Sequence, residues 1–99
     1  MIVSKIHKRG SELLLAACDS ELIGKTLKLE NGAEIKILES FYLDKVVSEK
    51  ELIELAKDCT TANFFGQETI NALVKAGIIS ENEIMILNDV PHSQIYKMF

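Results

Sequence analysis

The chain has few of the features that announce a specialised class. It has one proline, two cysteines and no uninterrupted apolar run near the roughly 20 residues that span a bilayer. The missing run excludes a transmembrane helix. Met1 to Ile6 leads at once into charged residues, so no secretory leader is expected. Cys18 and Cys59 lie far apart in a chain that is 47% hydrophobic, which argues against a disulfide scaffold and for two buried, reduced thiols. A cytoplasmic protein is the expectation. No CxxC or HxxxH pair, glycine-rich phosphate loop or internal repeat is present, and no cofactor is expected.

What remains is an ordinary globular balance, 26% charged with a formal net charge of -4 over 99 residues. It predicts one domain over residues 1–99. The charge is unevenly spread: residues 1–47 carry seven Lys/Arg against seven Asp/Glu, and residues 48–99 four against eight. Any polyanion would therefore meet the first half.

The pattern predicts an α+β fold: two N-terminal β-hairpins, two central helices packed on the sheet, and a C-terminal strand pair. Met1–Lys8 and Glu12–Ala17 read as strands turning at Arg9-Gly10, with Ile6 beside Leu13 and His7 beside Glu12. Asp19 or Ser20 is placed to cap a single helical turn that stops at Gly24. In the second hairpin, Thr26–Leu29 and Ala33–Phe41, a three-residue Glu30-Asn31-Gly32 loop pairs Leu27 with Ile35 and Lys28 with Glu34. Ser48 and Glu51 form a capping box for a helix running to Thr61 or beyond. Gly66 and Gly77 bracket a second helix, with Ile70, Leu73 and Val74 on its buried stripe. Ser80 and Glu83 form another box before a strand at Ile84–Leu87. Asn88 to Pro91 read as a turn, and Gln94–Met98 as a returning strand near a sheet edge.

Two groups of residues are candidates for function. Lys5, His7, Lys8 and Arg9 make a basic cluster at the first hairpin tip, which Lys25 can extend. Phe41, Tyr42 or Tyr96 could supply stacking, so the cluster suits RNA. Cys18, Asp19, Asn63, His92 and Gln94 are polar groups at turns and element ends, and a pocket built from Cys18, Asp19, Asn63 and His92 would suit a small enzyme or a metabolite-binding protein. The helix after Gly66 offers backbone amides to an anion. His7, Cys18, Cys59 and His92 match a tetrahedral zinc site in number but not in spacing, and no metal is assigned.

The segments CDSELIGK, SFY, TTANFFGQETINALVKAGII and VPHSQIYK together resemble an archaeal family of small uncharacterised proteins, domain-of-unknown-function family 424. Cys18-Asp19, Leu22, Gly24-Lys25, Phe41-Tyr42, Asn63, Gly66, Pro91-His92 and Gln94 carry the resemblance, in that order and over nearly the whole chain. It implies an archaeal cytoplasmic protein, and no activity to carry over. The leading expectation is a non-catalytic, RNA-binding or translation-associated module with RNA, the ribosome or a protein as partner, and no membrane. The enzyme is the rival.

Overall fold

The computed structural model describes residues 1–97; Met98, the end of the expected last strand, lies outside them. The first hairpin pairs β1 (Ile2–Arg9) with β2 (Glu12–Asp19) about Gly10-Ser11, where Gly10 takes φ +61°. Glycine adopts that conformation without strain and arginine does not. The turn therefore centres one residue later than Arg9-Gly10, and the register moves by two, setting Ile6 opposite Leu15 and His7 opposite Leu14. A shift of two keeps every side chain on its expected face.

A 3₁₀ turn at Ser20–Leu22 leads to β3 (Thr26–Lys28) and β4 (Glu34–Lys36). Leu27 pairs with Ile35 and Lys28 with Glu34, the register expected of the three-residue loop, and Gly32 holds φ +87°. The second strand stops short of Phe41, because Glu39–Tyr42 winds into the short helix α1. Next come β5 (Lys45–Val47) and α2 (Glu49–Asp58), whose Ser48–Glu51 capping box is closed by bonds of 3.1 and 3.2 Å.

The largest departure from the sequence reading follows. Residues Thr61–Phe65, where the helix is expected to end at Thr61 or a little beyond, form strand β6, which pairs in parallel with β2. Ala62 and Phe64 are buried on the helix side and Thr61 and Asn63 are half-buried on the other, an alternation only four residues long that buried Phe65 interrupts. α3 (Gln67–Lys75) matches the expected second helix, and β7 (Met85–Leu87) and β8 (Val90–Tyr96) close the chain. Asn88 and Asp89 alone form the last turn, at φ 51° and 66°. Pro91 stands inside β8, one strand in from the edge.

Six strands form one sheet in the order β5-β1-β2-β6-β8-β7, and β3 and β4 form a separate two-stranded sheet. α2 and α3 cover one face over Ile2, Leu15, Ala17 and Phe64, packing with Leu52, Ala56, Ile70 and Leu73. The other face is covered only in part. There the β3–β4 hairpin, the 3₁₀ turn and α1 enclose Val3, Ala16, Cys18 and Phe65 with Leu22, Leu27, Ile37 and Tyr42. Among the described residues, no helix is long and apolar enough to cross a membrane.

Candidate functional site

Strand pairing assigns each candidate residue to a row and a face. On the partly covered face, one row runs Val3, Cys18, Phe65, His92 across β1, β2, β6 and β8. It lies beneath the hairpin, and all four residues are buried. The next row runs Lys5, Ala16, Asn63, Gln94, and the one after it His7, Leu14, Thr61, Tyr96. Cover thins along these rows: Leu14, Thr61 and Asn63 are half-buried, Gln94 is exposed, and Tyr96 is 76% exposed.

Several side chains in the two open rows are fixed. The Gln94 Nε2–H donates to Asn63 Oδ1 at 2.7 Å. The Lys5 ammonium donates to the Ser40 carbonyl at 2.9 Å, and His7 stacks on Phe41 with ring centroids 4.4 Å apart. The His7 Nε2 lies 2.8 Å from the Phe41 carbonyl, an oxygen that can only accept, so that nitrogen carries the proton. The His7–Phe41 stack and Tyr96 thus stand on either side of a polar strip, roughly 14 Å apart by three strand spacings.

The basic cluster divides between the two faces. Side chains alternate along β1, so Lys5, His7 and Arg9 face the open rows and Lys8 faces the helix side. Lys25 follows Gly24 on the covering hairpin, where its carbonyl accepts from Ile37 N–H at 2.9 Å. The preceding Gly24 lines a surface recess with Ser40, whose carbonyl accepts from Lys5.

The five candidate polar residues do not share one pocket. Cys18 and Asp19 are consecutive in β2 and point to opposite faces. Cys18 and His92 are separated by the whole of β6, roughly 10 Å, with Phe65 between them. That exceeds the hydrogen-bond reach needed to activate a thiol. Burial pushes the Cys18 thiol up to about 12, reinforced by the neighbouring Asp19, and burial also raises Cys59. The Cys59 thiol donates to the Ala56 carbonyl on the helix-covered side, away from Cys18. A rise from 9.0 to about 12 leaves roughly a thousandth of the ordinary thiolate at Cys18. Alkylation of the native protein is therefore expected to be at least about a hundredfold slower than after denaturation; rapid modification of one equivalent would contradict it.

Asp19 does not cap its own 3₁₀ turn. Its carboxylate reaches the N-terminus of α3: Oδ2 accepts from Glu68 N–H at 3.0 Å, and Oδ1 accepts from Thr69 N–H at 2.9 Å and from the Thr69 hydroxyl at 2.8 Å. The anion site expected after Gly66 is thus filled by the protein's own carboxylate. Gly66 makes this possible, because a Cβ there would lie 2.3 Å from the Asp19 Cγ. Asp19, Gly66 and Thr69 clamp β2 to the helix layer.

His92 stacks on Phe65 at 4.1 Å, and its Nδ1–H donates to the Phe64 carbonyl at 2.8 Å. Burial lowers its pKa from the ordinary 6.5, and the bond to Phe64 opposes the shift in part. Below about pH 6.5 the unfolded chain takes up a proton here that the folded chain still refuses. The contribution is full above that value and is lost as pH falls through the lowered folded pKa. Thermal melts from about pH 7.5 to about pH 5.5 should show falling stability, with a shallower slope in His92→Gln. An unchanged slope in the variant would contradict this.

Sequence reasoning missed Thr61 as a residue of the open face, because the strand carrying it was read as helix. Thr60-Thr61 before Phe64-Phe65 was the available signal, since β-branched and aromatic residues favour strands.

Comparison with known proteins agrees with this architecture. The solved structure of an uncharacterized conserved protein from the archaeon Methanopyrus kandleri is 32% identical, with a TM-score of 0.80 over 96% of this chain and 90% of that one. No curated protein matches the chain. The family model described as protein of unknown function (DUF424) matches residues 7–98, which include every motif from Cys18-Asp19 to Gln94. By that match, the chain belongs to the DUF424 family.

Proposed function

We propose that the protein is a non-catalytic module that binds single-stranded RNA on the open rows of its sheet, and that it serves translation in the cytoplasm. The observation that carries the reading is the convergence on one face of Lys5, His7 and Arg9 with the Asn63–Gln94 amide pair and exposed Tyr96. Single strands are held by cations that track phosphates and by aromatic faces on which bases stack. Lys5 and Arg9 supply the first, Tyr96 and the His7–Phe41 stack the second. The amide pair offers donors and acceptors to base edges. Two reduced, buried thiols fit a cytoplasmic setting. The separation of Cys18, Asp19 and His92 favours this reading over the rival, a small enzyme or metabolite-binding protein.

Polarisation of a labelled single-stranded oligoribonucleotide, measured across a salt series, tests the reading. Lys5→Ala and Arg9→Ala should weaken binding and each reduce the salt slope by about 0.7. Tyr96→Ala should cost about 1–3 kcal/mol, the range for one stacked base. Lys8→Ala, on the opposite face, should leave affinity nearly unchanged. No binding at low salt, or equal losses from Lys8→Ala and Lys5→Ala, would overturn it.

A further inference from the structure

The two edges of the six-stranded sheet are unlike. β5 carries Lys45, a charge of the kind that blunts an edge against pairing. β7 is Met85-Ile86-Leu87, without charge or proline, and Met85 and Ile86 are 60% and 64% exposed. An uncharged, apolar edge strand is a template for another strand.

The hydrogen bonding defines what this edge offers. The Pro91 carbonyl accepts from Gly66 N–H at 2.9 Å, so the Pro91 backbone faces β6 and turns away from its partner Ile86. Pairs in an antiparallel ladder alternate between bonded and unbonded, so Ile86, opposite Pro91, directs its own N–H and C=O outward. A single donor and acceptor on one central residue suits a strand related by a two-fold axis through Ile86, where the two copies exchange both bonds.

The edge is flanked by a groove on each face. One, of about 650 Å³, is floored by Ile70, Val74, Ile84 and Pro91 beside Ile86, with Lys75 and Glu81 on its rim. The other, of about 630 Å³, runs along Leu87 and Leu29 with Lys28, Glu30 and Asp89. Both rims carry both signs of charge. Two copies related by a two-fold axis can set the Lys75 of each toward the Glu81 of the other, whereas a uniformly acidic or basic peptide would satisfy one sign only.

We propose that the β7 edge is a self-association surface, on which a second copy of this chain pairs antiparallel through Ile86 to join the two sheets into one. The proposal is independent of the RNA reading, since the edge lies beyond β8 and leaves the rows of Lys5 and His7 open.

Disulfide trapping of the full chain tests it. In a two-fold bonded pair the Ile86 Cα atoms would stand about 5.5 Å apart, within the range a disulfide spans. Under mild oxidation Ile86→Cys should give a covalent dimer reversed by reductant, and Val46→Cys on the exposed opposite edge should not; the native thiols are buried and contribute little. Sedimentation of the unmodified protein up to roughly millimolar concentration should show a monomer–dimer equilibrium, and Ile86→Lys should raise its dissociation constant at least about tenfold. Circular dichroism of Ile86→Lys should match the parent, since the side chain is exposed. A monomer at every concentration, cross-linking as fast through Val46→Cys, or a dimer indifferent to Ile86→Lys would each overturn the proposal, including the case in which the edge takes a different peptide.

Discussion

Gly66→Ala is expected to destabilise the fold by about 3–5 kcal/mol and to lower the melting temperature by roughly 15–30 °C, a large part of the about 5–15 kcal/mol that holds a domain of this size. Two costs combine. Gly66 sits at φ +114° and ψ 151°, a region that only glycine adopts readily, and forcing a side chain there costs on the order of 1–3 kcal/mol. The added Cβ would also lie 2.3 to 2.7 Å from the three carboxylate atoms of Asp19. Something must move, and the Gly66 backbone is tied at both ends: its N–H donates to Pro91 and its carbonyl accepts from Ile70 N–H, both at 2.9 Å. Asp19 is then displaced from α3. Gly10→Ala is the comparison, because Gly10 also has positive φ but nothing within 4 Å of its would-be Cβ. It should cost only the strain, about 1–2 kcal/mol. Equal melting-temperature losses in the two variants would contradict the steric part of the account.

The second large effect is expected at Asp19. Asp19→Ala removes an acceptor of three hydrogen bonds at a residue only 4% exposed, and leaves the Glu68 and Thr69 amides at the start of α3 without their partner. Bonds to charged groups contribute about 1.5–3 kcal/mol and helix caps about 1 kcal/mol, so a loss of about 3 kcal/mol is expected. Asp19→Asn should lose less, keeping one oxygen while setting an amide NH₂ against a backbone donor. The two sites are coupled: with Asp19 truncated, Gly66→Ala has less to collide with. A double-mutant cycle by urea denaturation should therefore give an interaction of about 1–3 kcal/mol, the double variant being more stable than the sum of the singles predicts. Strict additivity would show that the clamp does not act as a unit.

The clamp also shows where the sequence was legible. The three-residue loop at Glu30-Asn31-Gly32 fixed its hairpin, since only one register separates Leu27 and Ile35 from Lys28 and Glu34. The Ser48–Glu51 box and the stripe of Ile70 and Leu73 marked the helices for equally local reasons. β6 was hidden because its alternation runs over only four residues before Phe65 breaks it, and its Ala62 also continued the helical spacing of Leu52 and Ala56. Asp19 looked like the cap of the turn beside it, whereas its carboxylate serves a helix about fifty residues away, a pairing that only the parallel β2–β6 contact creates. The site followed the same division. Lys5, His7 and Arg9 were visible as a cluster and the separation of Lys8 follows from alternation along β1, but the meeting of Asn63 with Gln94 depends on strand order. Sequence spacing does not contain strand order.

The claim that the open rows bind single-stranded RNA is tested most directly by titrating the isotope-labelled protein with a short single-stranded oligoribonucleotide and following its amide resonances. Shifts are expected to concentrate at Lys5, His7, Leu14, Thr61, Asn63, Gln94 and Tyr96, with α2 and the outer side of α3 silent. Shifts centred on the helix layer, or no shifts at low salt, would contradict it.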